Sequence, residues 1–519
     1  MIHQNELWGQ SGVVAGNMQS DTSLLLILHV VAVLPFVALG ALGLNLLVLW
    51  TIGQIVRERP LPKDAVPLAK GEMPRVLVQL PIYNESSVVA RLVEAVSALD
   101  WPRDRLRIQL LDDSTDGAEK MSAALVETLR EDGFDIVCIH RTDRKDFKAG
   151  ALANGLAQDD SAFIAIFDAD FVPPSDFLRR AVAPLMADEK LAFAQARWEH
   201  LNSSENLLTA SQAMMIDAHF VIEQRMRSNT KLLLPFNGTC GVWRRAAIDD
   251  AGGWSADTLC EDLDLSIRAR LKGWSGVFLP DLAVPGELPA TFAGWRAQQF
   301  RWTKGFSQVA VKLLGQVWRS DLPLTAKIGL TMQTGQTACY PLTAISVLGT
   351  LILLLDQEHA ASLLSIAGGS VAVLGVGGSA LCLLTGLLVL NRQRRARFPI
   401  VFAATLLLNA GLMVSNSRAV WEALIGTKSP FVRTPKRGAI GIGPVLDKSG
   451  PTGATELLMA VCIGFALVIE AGWLSPLFSL SIIGLILVGG GLACERWVAV
   501  ARRAELWRAR TNQLDQTAE

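Results

Sequence analysis

A mostly parallel α/β domain inserted between transmembrane helices, in a multi-pass α-helical membrane protein, is the fold class that this sequence predicts. Three observations carry that reading. Residues 23–52 are almost wholly apolar, longer than the roughly 20 residues that cross a bilayer. Residues 75–288 alternate short β-rich runs with stretches of helical periodicity, the pattern of a parallel sheet covered by helices. Beyond Trp302, residues 326–355, 361–390, 455–473 and 476–498 are again long and nearly uncharged. Composition agrees. Of 519 residues, 50% are hydrophobic and 19% charged, and mean hydropathy is positive, which argues against a wholly soluble chain. A formal net charge of −1 argues against a general nucleic-acid binder. The 7 cysteines are scattered with no Cys-x-x-Cys pair, which excludes a disulfide framework and any familiar zinc site. His140, His200 and His219 lack metalloenzyme spacing, so a packed or hydrogen-bonded role is the ordinary reading of each.

Residues 1–22 are polar without Lys or Arg, whereas Arg57, Arg59 and Lys63 follow the first apolar run at once. This charge bias places the N-terminus outside and the next segment in the cytosol. The run over 23–56 is too long for a signal peptide and its charges flank the wrong end, so it reads as a signal anchor. In the domain spanning 57–287, strands are expected at 76–80, 106–111, 135–139 and 163–167, with helices at 87–99, 119–131 and 147–156. Polar clusters at 81–85, 112–116, 141–148 and 168–170 follow those strands, where open α/β sheets bind ligands.

Residues 288–325 read as interfacial helices. Residues 326–390 read as a hairpin, because the link Asp356-Gln-Glu-His359 lacks Lys and Arg whereas Arg392-Gln-Arg-Arg-Ala-Arg397 is strongly basic. Residues 399–425 are apolar but interrupted by Asn409, Asn416, Arg418, Trp421 and Glu422, with basic clusters at both ends. They read as an interfacial amphipathic helix, a sixth crossing being the alternative. With the Gly-rich linker at 438–453 they make up the segment 391–453. Residues 454–499 form a last hairpin, and the tail 500–519 carries Arg502, Arg503, Arg508 and Arg510. The sum is about five spans, N-terminus out and C-terminus in.

Four constellations carry chemistry. Asp168-Ala-Asp170 ends a buried-type strand, and two carboxylates so spaced can hold one hard divalent cation on a diphosphate; alone, such a pair is more often a solvated turn. Asp112-Asp113 ends another strand, able to accept hydrogen bonds from a base or ribose, or to form an Asx turn and helix cap. Lys145 and Lys148 suit phosphate, or a solvated helix start. In Thr258-Leu-Cys-Glu261-Asp262-Leu-Asp264, Asp262 is the candidate general base, because a sugar hydroxyl attacks only as its proton leaves. Glu261 and Asp264 fit equally as helix N-terminal acids. In Gln298-Gln-Phe-Arg301-Trp302, the guanidinium and indole can hold a diphosphate and a sugar ring; a snorkelling Arg beside an interface Trp is the alternative. No Ser-His-Asp or Cys-His set stands out.

Together with Phe236-Asn-Gly-Thr-Cys-Gly-Val-Trp243-Arg244, Gly252-Gly-Trp254, Leu271-Lys-Gly-Trp274 and Glu287-Leu-Pro289, these segments resemble the processive, membrane-integrated family 2 glycosyltransferases of the cellulose synthase superfamily. The likeness covers residues 75–437 and is nearest to the cellulose-synthase-like mannan, glucomannan and β-glucan synthases. It implies a GT-A fold, inversion at the anomeric carbon, Mg²⁺ or Mn²⁺, and a β-linked product. Carried over, it puts Tyr83, Asp112 and Asp113 on the nucleotide, with Lys148, Gln298, Arg301 and Trp302 also on the nucleotide sugar. Asp168 and Asp170 would hold the metal diphosphate, and Asp262 would be the base. Gln195, Trp198, His200, Asn237, Cys240, Glu261 and Trp302 would line the acceptor site. Phe431, Thr434 and Lys436 resemble a gating loop over bound nucleotide, with Arg433 departing from the pattern. The implied function is polymerisation of hexose from UDP-glucose or GDP-mannose into a β-(1,4)-type glycan, extruded through the protein's own helices. Its partners are then the nucleotide sugar, the growing polysaccharide and the bilayer, and a bacterial inner membrane is the expected residence. Later helices offer Gln333, Gln336, Tyr340, Asn409 and Trp421 to a polysaccharide path. The rivals are transfer of a single sugar to a lipid and, from another class, a transporter or scaffold with a vestigial domain.

Overall fold

The computed structural model describes residues 10–56, 73–230, 232–353, 371–390, 392–428, 453–469 and 481–500. Its centre is a seven-stranded sheet of order β3-β2-β1-β4-β6-β5-β7. The strands are β1 (Val76–Ile82), β2 (Leu106–Asp112), β3 (Asp135–His140), β4 (Phe163–Ile166), β5 (Leu191–His200), β6 (Gly241–Arg244) and β7 (Ser275–Gly286). β1 to β4 run parallel, β5 pairs β7 in parallel, and β6 runs against both β4 and β5. The four strands expected from the sequence all form. Reversal of β6 matters for the site. It brings the loop entering β6, residues 237–240, to the edge where β1, β2 and β4 end.

Alternation along the strands builds two core layers. Val76, Val78, Leu80 and Ile108 pack with Val89, Leu92 and Phe177 on one face. On the other, Leu77, Ile164 and Trp243 meet Leu152, Phe193, Phe236 and Leu265. The helices over the domain include α2 (Ser86–Ser97), α3 (Glu119–Glu131), α4 (Phe147–Leu156), α5 (Phe177–Ala187), α6 (Leu207–Ala218), α7 (Arg225–Ser228), α8 (Arg245–Asp250) and α9 (Glu261–Leu271). They follow α1 (Gln10–Ile55). One polar exception in the core is informative. Gln79 donates to Gln109 Oε1 at 3.0 Å and to Leu152 O at 3.1 Å, while Gln109 donates to Gly155 O at 2.9 Å. These three hydrogen bonds leave Gln79 Oε1 without a partner, but they tie α4, whose first turn carries Lys148, to the sheet.

Downstream lie α10 (Phe292–Arg319), α11 (Leu324–Gly335), α12 (Cys339–Leu353), α13 (Gly377–Leu390), α14 (Phe398–Gly411), α15 (Met413–Leu424), α16 (Ala454–Ile469) and α17 (Ser481–Val500). Among the described residues, Val33–Ile55 and Ser481–Val500 are long and apolar enough to cross a membrane. The uninterrupted helix expected over 326–355 is instead broken by a 3₁₀ turn at Gln336–Ala338. Pro341 lacks the N–H that would bond to Thr337, and the break turns Gln336 and Tyr340 toward the central cavity. The segment 399–425 is two helices bent by 48°. Its corner falls at Gly411, where a Cβ would lie 2.3 Å from Gly484 O of α17. The link 356–359, the linker 438–453 apart from Gly453, and Phe431, Thr434 and Lys436 lie outside the described residues.

Candidate active site

One cavity of about 1350 Å³ opens at the C-terminal edge of the parallel strands and continues between the helices. Its walls at the sheet come from the turns that the sequence marked as polar. Tyr83 follows β1, Asp113 follows β2, Lys148 starts α4, and Asp168 and Asp170 follow β4. Asn237 and Gly238 enter from the reversed β6, Glu261 and Asp262 from the first turn of α9, and Gln298, Arg301 and Trp302 from α10. Trp198 and His200 at the end of β5 also line the cavity.

The acidic centre is built around Lys148. Its Nζ donates to Asp168 Oδ1 at 2.6 Å and to Gly238 O at 2.9 Å, and stands 3.8 Å from Glu261 Oε1. Burial works against this cation, but Asp168, Glu261 and Asp262 hold its pKa above the ordinary lysine value. Asp262 faces it across Gly238, where a Cβ would lie 3.1 Å from Asp262 Oδ2. Gly238 has φ +78, a conformation that glycine adopts without cost, so bareness and turn are both required there. Burial, and then the Glu261 charge, push the Asp262 carboxyl up to about 7, against the Leu263 N–H and Lys148. A carboxylate so poised is suited to accepting a proton near neutral pH.

Asp168 and Asp170 fit a hard divalent cation. The donors are two carboxylates at one strand end, and among the described residues no set of three or more Asp, Glu, His or Cys gathers into a protein-only metal cage. Such a site suits Mg²⁺ or Mn²⁺ shared with substrate phosphates rather than zinc. The Thr239 hydroxyl accepts the Asp168 N–H at 2.8 Å and so fixes the first of the two carboxylates.

Several residues expected at the ligand are spent on scaffolding. Asp112 is fully buried, accepts the Ser114 N–H at 2.8 Å and does not line the cavity; it makes the Asx turn. Asp113 is bound by Arg141 through Nε and Nη2, at 2.8 and 2.6 Å, a bidentate pair at the cavity edge. Gln195 is buried, donates to Ala196 O and Thr239 O, both at 2.9 Å, and accepts the Asn237 N–H at 2.9 Å. It braces the 237–240 loop from behind and does not line the cavity. Cys240 is also fully buried, at φ +59, with its thiol pKa raised by burial; the strand start turns its side chain into the core. Asp264, read as a helix-terminal acid, is buried and bridges Arg268 at 2.6 Å and Lys312 of α10 at 2.7 Å.

Other cavity residues escaped sequence reasoning. The Arg144 guanidinium lies 3.3 Å over the Tyr83 ring, and Arg144, Asp146 and Phe147 all have positive φ, strain of a kind that collects at functional sites. The π-helical turn His219–Gln224 brings His219 and Glu223 to the cavity wall, with His219 Nε2 3.3 Å from Asn237 Nδ2, and such turns also mark functional sites. Its only sequence signal is a run of ordinary helical residues. Of the candidates for a polysaccharide path, Gln336 and Tyr340 line the cavity with Asn45 of α1 and Ser379 of α13. Asn409 instead bonds Thr405 O at 2.8 Å, Gln333 is buried, and Trp421 is exposed.

The acidic helix and α10 meet at Gly305, where a Cβ would lie 2.3 Å from Cys260 Sγ and 3.0 Å from Cys260 N. Gly305→Ala should therefore lower stability by about 1–3 kcal/mol, as overpacking does, by forcing α10 away from the start of α9. Thermal unfolding measures this effect, and an unchanged midpoint would show that the contact is soft.

Comparison with known proteins places these residues in context. Residues 74–305 match the family described as Glycosyltransferase like family 2. Glucomannan 4-beta-mannosyltransferase 1 of Oryza sativa subsp. japonica is 43% identical over 265 residues, 50% of this chain and 51% of that one. Glucomannan 4-beta-mannosyltransferase 2 of Arabidopsis thaliana is 44% identical over 262 residues, 50% of this chain and 49% of that one. The chain thus spans about half the length of the curated relatives it matches. A Pyrobaculum calidifontis mannosyltransferase, solved with GDP-Man and Mn²⁺, aligns with TM-score 0.52 at 19% identity, covering 77% of this chain and 100% of that one. That likeness shows the fold, a GT-A-like α/β domain.

Proposed function

With residues 74–305 a family 2 glycosyltransferase domain, we propose that the protein is an inverting, processive 4-β-mannosyltransferase. It draws on GDP-mannose and passes the growing β-(1,4) chain into its own helical bundle. The observation that carries this reading is the continuity of the cavity. Asp168, Asp262 and Trp302 line one end, and Gln336, Tyr340, Asn45 and Ser379 line its extension between the helices. Polar groups among apolar helices are costly and mark a path for a polar cargo. Mannose is favoured over glucose by the names of the plant relatives.

In this mechanism Tyr83 and Arg144 form the nucleotide end, at whose edge Arg141 holds Asp113. Asp168 and Asp170 would hold Mg²⁺ or Mn²⁺, whose chemistry there is to neutralise the departing diphosphate; Lys148 and Arg301 add fixed positive charge. Asp262 accepts the proton of the acceptor hydroxyl as that oxygen bonds to the anomeric carbon and the bond to the diphosphate breaks. Trp302 and Trp198 offer ring faces to the acceptor sugars. The α/β domain then lies on the donor side of the membrane, the cytosol, with the N-terminus opposite.

The test uses the full chain in nanodiscs with Mg²⁺ or Mn²⁺ and labelled GDP-mannose or UDP-glucose, supplied separately. The expected result is a high-molecular-weight product from GDP-mannose that a β-(1,4)-mannanase degrades. Polymer from UDP-glucose alone would overturn the donor assignment, and a lipid-sized product would overturn processivity.

A further inference from the structure

The helix that presents Gln298, Arg301 and Trp302 has a second face, and we propose that three carboxylates from later helices grip that face as a positioning clamp. Glu422, Glu456 and Glu495 thereby set where Trp302 stands relative to Asp262. What the held helix does rests on the transferase reading; the clamp itself does not.

At about 3.6 residues per turn, Phe292, Ala293, Arg296 and Lys304 share one side of α10. Gln298, Arg301, Trp302 and Gly305 fall on the other. Every residue of the first group except Phe292 and Ala293 uses its side chain; those two offer backbone N–H groups of the first turn, which have no partner within the helix. Glu495 of α17 accepts both, at 2.6 and 3.0 Å, although it lies some two hundred positions further along the chain. The Phe292 ring also packs where Gly491 leaves room, since a Cβ there would lie 2.6 Å from it. One turn on, Arg296 Nη2 meets Glu456 Oε1 of α16 at 2.7 Å, with the carboxylate fully buried. Two turns further, Lys304 Nζ, itself fully buried, meets Glu422 Oε2 of α15 at 2.8 Å. A second cation, Arg418, reaches Glu422 Oε1 at 2.7 Å.

The opposite face is held by the catalytic domain. Lys312 meets Asp264 at 2.7 Å and Asp257 at 3.0 Å, and Gly305 abuts Cys260. Thus α10 is a two-sided element, with the acidic helix α9 on one side and α15, α16 and α17 on the other. Buried ion pairs contribute little net stability but are costly to break from one side, and their best use is to enforce one arrangement. Glu456 lies in the first turn of α16 and Glu495 in the later part of α17. The start of α16 and the later part of α17 therefore converge on the start of α10, far in sequence from the sheet.

The experiment uses full-length protein in nanodiscs with Arg296→Ala, Glu456→Gln, Glu495→Gln and the Arg296→Ala/Glu456→Gln pair. Hydrogen exchange of amides 292–305 should accelerate by about tenfold or more, while exchange over 76–112 stays unchanged. That measurement needs no substrate, so it reads the clamp whether or not either donor turns over. Where GDP-mannose is turned over, kcat should fall by about tenfold or more, as misplacement of a catalytic partner predicts, while GDP affinity, to which Arg301 of the same helix contributes, falls by much less. The pair should be no worse than its worse member, and Arg296→Lys should restore most of the loss. Unaltered exchange at 292–305, losses that add in the pair, or GDP affinity falling in step with kcat would each overturn the proposal.

Discussion

Asp262→Asn should abolish sugar transfer, by at least about a thousandfold as loss of a general base predicts, while leaving the protein more heat-stable at pH 8 than the wild type. The two effects have one cause. Asp262 is half-buried beside Glu261, and its pKa in the folded chain is pushed from the ordinary 3.8 up to about 7. An acid whose folded pKa is raised holds its proton more tightly folded than unfolded. Stability therefore falls as pH rises from about 3.8 to about 7, and above that window the full cost of a half-buried, crowded charge is present. Asparagine fills the same space without the charge, so the mutant escapes this cost. The gain in melting temperature should be largest at pH 8 and should shrink as pH falls through the window. Activity with GDP-mannose and melting curves at several pH values decide the matter. A mutant that keeps transfer would remove Asp262 from the base role. A mutant that loses transfer and also melts lower at pH 8 would show that Asp262 is a structural anchor.

Much of the fold was legible because local signals and tertiary structure agree. Phe147–Leu156 and Glu119–Glu131 begin and end where periodicity puts them, and β1 to β4 are apolar runs closed by polar turns. That rule also found the cavity wall, since ligands gather where parallel strands end. What stayed hidden depends on long-range pairing. Nothing local says that β6 runs backwards, yet its reversal brings Gly238 against Asp262. A motif likewise does not separate residues that touch a ligand from those that hold the ones that do. Gln195 and Cys240 belong to the segments that marked the acceptor site, and both turn out to be buried behind it. The same holds for Asp264, whose partner Lys312 lies on another helix. The ion pair of Glu456 and the backbone hydrogen bonds accepted by Glu495 join residues so distant in sequence that only the folded chain relates them.

Lys148→Met should shift the pH profile as well as the rate. Wild-type transfer should show an acid limb near pH 7, because protonated Asp262 is far too weak a base to take the acceptor proton. Lys148 is the nearest fixed cation to that carboxylate, and it also neutralises Asp168 and Glu261. Without it Asp262 faces Asp168 and Glu261 uncompensated, and ionises less readily. The acid limb should therefore move to higher pH, and the loss of rate should be far greater at pH 6.5 than at pH 8.5. Donor affinity should fall too, since the diphosphate loses a positive charge; together these effects amount to about a hundredfold in kcat/KM at pH 7, or about 3 kcal/mol. Lys148→Arg is not a conservative control, because a planar guanidinium does not fit the space of a compact ammonium that donates to both Asp168 and Gly238. The profile must be taken at one fixed concentration of the same divalent ion, since that ion also sets the local charge. An unmoved acid limb with reduced donor affinity would confine Lys148 to phosphate binding. An alkaline shift would tie the donor and acceptor halves of the site together through one side chain. Proton acceptance by Asp262 would then depend on what Asp168 holds: a diphosphate that draws Lys148 toward itself weakens the cation beside the base and raises its proton affinity as the reaction needs it.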